Sequence, residues 1–242
     1  MIKSRQKIRR ILLLVSMLAF PVTLYYFSPY LIINGAFSGI LAGSAITFAA
    51  QFLFSLVLGR AFCGWLCPAG AIQEFASVNP RSVDKKWVNA IKYIIWLPWL
   101  ATIVLAFIKA GGIHALDVTY MTRHGFSVAD APGYIMYAFI TSLFLLGAVF
   151  FGRRATCHSL CWMAPFMVIG TRLSNWLHLP ALRLQAQPAA CVSCQLCNRK
   201  CSMGLDVQQM VLHNRMQNDE CILCGECVDA CNKDAIRFKF GN

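Results

Sequence analysis

Eight of the chain's twelve cysteines fall into two runs of the same spacing. Cys191, Cys194, Cys197 and Cys201 form the first, and Cys221, Cys224, Cys227 and Cys231 the second, with two, two and three residues between successive thiols. A cubane iron–sulfur cluster offers iron at alternate corners, and three thiolates close together on one tight loop reach three of them. The fourth iron needs a thiolate from elsewhere. In two-cluster arrangements the last cysteine of each run serves the other cluster. The expected ligand sets are therefore Cys191, Cys194, Cys197 and Cys231 for one [4Fe-4S] cluster, and Cys221, Cys224, Cys227 and Cys201 for a second. Zinc sites draw their ligands as separated pairs, and disulfides are disfavoured in a reducing compartment. The proline that commonly closes such a run is replaced by Ser202 and Asn232, a change that bears on potential more than on binding.

The other four cysteines form two pairs, Cys63 with Cys67 and Cys157 with Cys161. Each pair follows a Gly-Arg segment (Gly59-Arg60-Ala61-Phe62-Cys63 and Gly152-Arg153-Arg154-Ala155-Thr156-Cys157), and the two copies lie 94 residues apart, as in an internal duplication. On a helix a spacing of four puts both thiols on one face, so a pseudo-twofold pairing of the copies would bring four thiols together. Three readings stay open: a third iron–sulfur cluster at the membrane face, redox-active or copper- or zinc-binding thiols, and buried structural cysteines. His158, inside the second pair, is an alternative ligand, a hydrogen-bond partner or a plain surface histidine. No residue set points to a catalytic role.

These groups need elements to carry them. The composition is 58% hydrophobic with a mean hydropathy of +0.57, well above a soluble globular chain. Four apolar segments, 11–33, 37–59, 87–108 and 131–152, reach the roughly 20 residues a helix needs to cross the hydrocarbon. The expected fold class is a membrane all-α domain of four transmembrane helices, built as two duplicated hairpins, followed by a small α+β two-cluster domain. Pro21 and Pro98 fall inside two of the spans and suggest kinks. The N-terminal arm (Lys3, Arg5, Lys7, Arg9, Arg10) is followed by a run too long for a signal core, which reads as an uncleaved first span.

Lys and Arg gather in the N-terminal arm, in 60–86 and after residue 152, whereas the alternate loops hold only Lys109 and Arg123. By the positive-inside rule both termini are expected to be cytoplasmic in a multi-pass protein; the expected location is a bacterial or archaeal inner membrane. Lys92, near the inner end of the third run, reads as a snorkelling anchor. The formal net charge of +12 belongs to this membrane part, and no interleaved basic and aromatic surface argues for nucleic acid. The expected domains are residues 1–170 for the transmembrane part with its two cysteine pairs at the cytoplasmic face, 171–190 for an interfacial connector and 191–242 for the two-cluster domain. The short apolar stretch 162–170 reads as interfacial or re-entrant, and Ile236, Phe238 and Phe240 alternate as in a short strand. No histidine lies inside any of the four runs, which disfavours a bis-histidine haem. His114, His124, Asp117, Tyr120 and Arg123 on the outer loop read as an ordinary solvated loop.

The segment Arg60-Ala61-Phe62-Cys63-Gly64-Trp65-Leu66-Cys67-Pro68, the second cysteine pair and the closing double cysteine run with Cys201-Ser202-Met203-Gly204-Leu205-Asp206-Val207 resemble the NapH-type membrane ferredoxins and the related polyferredoxin modules of NosR-like, MauN-like and CcoG-like proteins. The resemblance covers nearly the whole chain in the same order. It implies a four-helix quinol dehydrogenase component whose cytoplasmic clusters serve a terminal reductase. The expectation is a membrane-bound electron carrier between the quinone pool and a partner redox enzyme, acting as an electron-transfer subunit of a respiratory complex rather than as a stand-alone enzyme. The alternative is an assembly factor that handles copper or reduces a metal centre through Cys63, Cys67, Cys157 and Cys161.

Overall fold

A computed structural model describes residues 4–77 and 84–241; Lys3 and Arg81 of the basic segments lie outside them. The first apolar run is not one straight helix. Helix α1 (Ser4–Leu18) breaks at Ala19 and resumes in α2 (Phe20–Thr23) and a 3-10 turn through Phe27, bent by 58°. Pro21 sits in the first turn of α2, where its missing N–H is tolerated, and its ring disfavours a straight continuation of the preceding helix. A third helix, α3 (Pro29–Phe37), completes the run. The second run becomes strand β1 (Ile40–Ala42) and α4 (Gly43–Leu58), an apolar helix of 16 residues.

Two helices are long and apolar enough to cross a membrane: α7 (Lys86–Lys109) and α8 (Ala131–Phe151). Counting the bent pair as one span makes three among the described residues. At about 1.5 Å per residue α7 spans about 36 Å and α8 about 31 Å, against a hydrocarbon core of about 30 Å. Their outward faces carry Ile94, Leu97, Leu105, Ile108, Ile135, Phe139, Phe150 and Phe151, all well exposed, a surface that lipid rather than water accommodates. Pro98 lies inside α7 without ending it. Asp130 caps α8, its carboxylate accepting from the Gly133 N–H at 3.0 Å, and Gly152, at φ 100°, ends it.

After α4 and again after α8 the chain makes a glycine-terminated turn into a five-residue helix, α5 (Ala61–Trp65) and α9 (Ala155–Ser159). Each is followed by a proline-initiated helix, α6 (Pro68–Ala76) and α10 (Ala164–Trp176). The duplication is thus structural as well as sequential. The stretch expected to be interfacial or re-entrant is part of α10, which packs along α4. On the opposite side, β1 pairs in parallel with β2 (Ala115–Asp117), with Ile40 opposite Ala115. Tyr120, in the loop between α7 and α8, donates to Asn34 Oδ1 at 2.7 Å, and His114 lies against the Ala110 carbonyl.

The C-terminal unit begins earlier than the cysteines. Part of the expected connector is strand β3 (Ala181–Ala186), paired antiparallel with β4 (Ile236–Gly241), so that Ala181 faces Gly241 and Ala186 faces Ile236. Alternation announces β4; its partner looks like connector in sequence because the polar Arg183 and Gln185 interrupt a short apolar pattern. Between them lie α11 (Leu196–Lys200), α12 (Val207–Leu212) and α13 (Glu226–Ala230). One buried apolar cluster, with Phe20, Phe48, Ile103 and Phe144, joins the long helices. A second joins Cys63, Cys157 and Met167 of the membrane part to Met203, Ile222, Cys224, Cys227 and Ile236 of the C-terminal unit.

Candidate iron–sulfur sites

The two cysteine runs fold into matching loops. In the first, Ser193 and Gln195 take positive φ (54° and 59°); in the second, Leu223 and Gly225 do (50° and 75°). Alternating left-handed residues turn successive backbone N–H groups toward one point, which favours negative charge there. N–H groups of Leu223, Glu226 and Val228 lie against the sulfurs of Cys221, Cys224 and Cys227, and those of Met203 and Leu205 against Cys201. For residues with a Cβ this backbone costs about 1–3 kcal/mol each. Spacing alone did not disclose it; Gly225 was the one visible hint.

The last cysteine of each loop lies with the first three of the other. One cavity is lined by Cys191, Cys194, Cys197 and Cys231, and another by Cys201, Cys221, Cys224 and Cys227. Burial pushes the Cys201 thiol up to about 12 and Cys221 to about 11, and raises Cys197, Cys224 and Cys227. Such thiols stay protonated until something cationic takes their charge, and iron is such a partner. The donor sets, four sulfurs each with inward N–H groups, fit a cubane cluster.

The two membrane-side pairs converge as well. Cys67 lies within electrostatic reach of Cys63, Cys157 and Cys161, and Cys161 of Cys157 and Cys63. Burial and these neighbours push Cys67 well up and Cys161 to about 12. Polar contacts hold the group. Gln73 Nε2 donates to Cys157 Sγ at 3.2 Å while its Oε1 accepts from the Thr156 N–H, and Cys63 Sγ lies 3.5 Å from Met167 Sδ.

Two arginines that the sequence reading passed over flank this group. Arg60 and Arg154 hold the equivalent position in the repeat, just before α5 and α9, and both are buried. Arg60 acts on Cys63 and Cys161, Arg154 on Cys157 and Cys67, so each guanidinium serves the first cysteine of its own copy and the second of the other. Burial works against their charge, but Cys63 and Glu220 outweigh it for Arg60, and Glu74 and Cys157 for Arg154. The recurrent Arg-Ala-x-Cys was the available signal.

Each arginine also belongs to a buried ion network. Arg154 and Arg9 both bind Glu74, and Arg9 reaches Glu226 at 2.7 Å. Burial would raise the Glu74 carboxyl, yet Arg154 and Arg9 hold it down at about 2. Arg60 and Lys92 share Glu220, the residue before Cys221. Lys92 is only 1% exposed and is therefore not a snorkelling anchor: the C-terminal unit covers the N-terminal end of α7 and supplies a carboxylate in place of headgroups. His158 is fully buried rather than on the surface, with Nδ1 2.6 Å from Asn89 Oδ1 and Nε2 3.1 Å from the Met203 carbonyl.

These contacts press the second loop onto the first cysteine pair. Trp65 Nε1 donates to the Leu223 carbonyl and Gln6 Nε2 to that of Cys224, each at 3.1 Å. Gly64, between Cys63 and Trp65, touches the Ile222 carbonyl so closely that a Cβ there would collide with it. The other loop points away, with Cys194 and Val192 exposed.

Fold and site define an iron–sulfur protein that carries membrane-length apolar helices. A 4Fe-4S binding domain family matches residues 41–87, around Cys63 and Cys67, and a 4Fe-4S dicluster domain family matches residues 171–241. The chain is 27% identical over 203 residues to the uncharacterized protein MJ0750 of Methanocaldococcus jannaschii, covering 78% of this chain and 75% of that protein. It is 26% identical to the putative electron transport protein YccM of Escherichia coli, over 84% of this chain and 57% of that one. With the regulatory protein NosR of Pseudomonas aeruginosa it shares 29% identity over 75% of its length, but only 25% of NosR's. No solved structure matches the chain. The resemblance is thus to the NosR-like membrane ferredoxins at large.

Proposed function

We propose that this chain relays electrons between the quinone pool of the inner membrane and a partner redox enzyme, as the NapH-type subset of these proteins is taken to do. The observation that carries the reading is that cysteines of three four-thiol groups meet around one core. Cys63 and Cys157 of the membrane-side pairs share it with Cys224 and Cys227, Cys191, Cys197 and Cys231 pack against it, and Cys194 is exposed. In this reading Cys201, Cys221, Cys224 and Cys227 hold the inner [4Fe-4S] cluster, Cys191, Cys194, Cys197 and Cys231 the outer one, and Cys63, Cys67, Cys157 and Cys161 a third iron–sulfur group. Each bound cluster supplies a reversible one-electron couple. The chain's own residues set its environment: inward N–H groups and Arg60 and Arg154 stabilise added negative charge, and the packed core excludes water from the inner groups. The exposed Cys194 loop is the face for the partner.

The bent first run and the 16-residue α4 act as the two shorter crossings of a four-helix domain, with both termini and all twelve cysteines on the cytoplasmic side. The match of residues 41–87 to a 4Fe-4S binding domain, together with the name of YccM, supports the iron–sulfur relay over the copper-handling alternative.

Anaerobic iron and sulfide quantitation with EPR tests the reading, comparing the wild type with a variant in which Cys63, Cys67, Cys157 and Cys161 are all serine. Two cubanes hold about eight irons. The wild type should exceed that and the variant lose only the excess; equal iron and equal spectra would remove the third group.

A further inference from the structure

Two cavities adjoin along β3 and share Arg183, Leu184, Met216 and Gln217. One, of about 320 Å³, lies between the C-terminal ends of α4 and α10 and the segment before Cys221; the other, of about 600 Å³, lies beside the β3–β4 pair. Their charge is one-sided. Among the described residues that line them, Arg60, Arg172, Arg183, Arg215 and Lys239 are cationic and Asp219 is the single carboxylate. Glu220 answers Arg60 and Asp219 answers Arg172, whereas Arg183, Arg215 and Lys239 have no carboxylate partner among the described residues. The strand register sharpens the imbalance. Arg183 stands directly opposite Lys239 on the antiparallel pair, and both line the larger cavity. Like charges directly opposite one another destabilise a ladder, and an anion held between them removes that cost.

The neighbouring surface says what carries the anion. The smaller cavity reaches Ser55 and Gly59 of α4 and Thr171 and Asn175 of α10. On the same stretches these helices expose Leu53, Val57, Ile169 and Trp176, the indole at 75%. An exposed tryptophan at the end of an apolar helix suits the headgroup level of a membrane, and basic pockets beside membrane helices recognise anionic headgroups. We propose that the two cavities hold the headgroup of an anionic phospholipid of the phosphatidylglycerol class, its phosphate on Arg183 and Lys239 and its acyl chains along α4 and α10. A guanidinium grips a phosphate through two parallel N–H bonds, and the ammonium adds a point charge. The amides of Asn175 and Gln217, which line the smaller cavity, suit the glycerol hydroxyls. A lipid bound there clamps β3 and the segment before Cys221 onto α4 and α10. The assignment rests on the reading of α4 as a membrane crossing and not on electron transfer.

The test uses the full-length, cluster-loaded protein in phosphatidylcholine nanodiscs doped with phosphatidylglycerol that carries a diazirine in one acyl chain. Label is expected on residues 53–57 and 169–177, above that left by diazirine phosphatidylcholine and displaced by unlabelled phosphatidylglycerol. Lys239→Gln, at an exposed position, and Arg183→Gln should each raise the half-saturating fraction of phosphatidylglycerol about tenfold, the value of one charge-assisted hydrogen bond, with iron content and EPR spectrum unchanged. In phosphatidylcholine alone the double variant should unfold no earlier than the wild type, because it removes a repulsion, and phosphatidylglycerol should stabilise only the wild type. Equal labelling by the two lipids, wild-type affinity in both variants, or earlier unfolding of the double variant in phosphatidylcholine overturns the site. Displacement by millimolar inorganic phosphate or by a polyglutamate peptide overturns it too, in favour of a soluble phosphate or an acidic protein. If neither lipid labels α4, the site fails together with the four-crossing arrangement, while iron and EPR still decide the relay. If quinol leaves the clusters oxidised yet the lipid labels as expected, the relay fails and the site stands.

Discussion

The C-terminal cysteine groups and the membrane-side group use the same ligand but are assembled in opposite ways. In the C-terminal unit three thiols of each set come from one short loop whose own backbone points N–H groups at them, and a single cysteine crosses over. In the membrane part no more than two thiols are local, the copies are far apart in sequence, and charge is supplied by arginine side chains rather than by the loop. The first arrangement is largely self-contained. The second depends on the docking of two helix pairs and on ion networks that reach the C-terminal unit through Glu220 and Glu226. Losses that leave the C-terminal groups intact should therefore dismantle the membrane group.

The largest test of that contrast is Glu220→Ala. It strands Arg60 and Lys92, both buried, without their shared carboxylate, and breaking a buried pair costs about 3–5 kcal/mol. Denaturant titration in detergent should register this loss, and limited proteolysis should release the C-terminal unit with its iron still bound; loss of all iron together would mean the groups are not separable.

Glu74 gives a pH signature of the other network, which contains Arg9, Arg154 and Glu226. Its folded value of about 2 lies below the ordinary 4.5, so its contribution is whole above about 4.5 and lost as pH falls toward 2. Unfolding followed across that window should flatten in Glu74→Gln relative to the wild type; parallel curves would show that the carboxylate carries no such stability.

Gly64→Ala comes next. The added methyl must displace the Ile222 carbonyl, at a cost of about 1–3 kcal/mol, and, on the proposed three-cluster relay, should change the magnetic coupling between the inner cluster and the proposed membrane-side one without loss of iron. An unchanged EPR spectrum would argue against that close approach. The smallest effect is expected at Asp206, which caps α12 by accepting from the Gln209 N–H at 3.2 Å and from Asn198 Nδ2 at 2.8 Å. Asp206→Ala should cost about 1 kcal/mol and leave the membrane group untouched.

Local chemistry was legible in the residues. The two runs and the strand at Ile236, Phe238 and Phe240 follow from spacing and alternation, because each involves neighbours along the chain. The long apolar runs 87–108 and 131–152 announced α7 and α8 for the same reason: hydropathy summed over about 20 residues is a local property. The first run is bent by 58° at Ala19, two residues before the Pro21 that suggested a kink; the size of the bend was not legible in hydropathy. Lys92 and His158 misled differently. Each was read against lipid or water, whereas their surroundings are Glu220, Asn89 and Met203 from distant parts of the chain.

The sequence by itself thus determined the chemical type of this protein: clustered thiols at cluster spacing, attached to apolar helices and repeated by duplication. Only the tertiary structure decided that the two membrane-side pairs meet, that Arg60 and Arg154 cross between them, and that one C-terminal loop rests on Gly64 while the other faces out. The physical reason is range. Thiol spacing and hydropathy act over a few residues of chain, but a buried charge is stable only where a partner is brought to it, and that partner is set by packing.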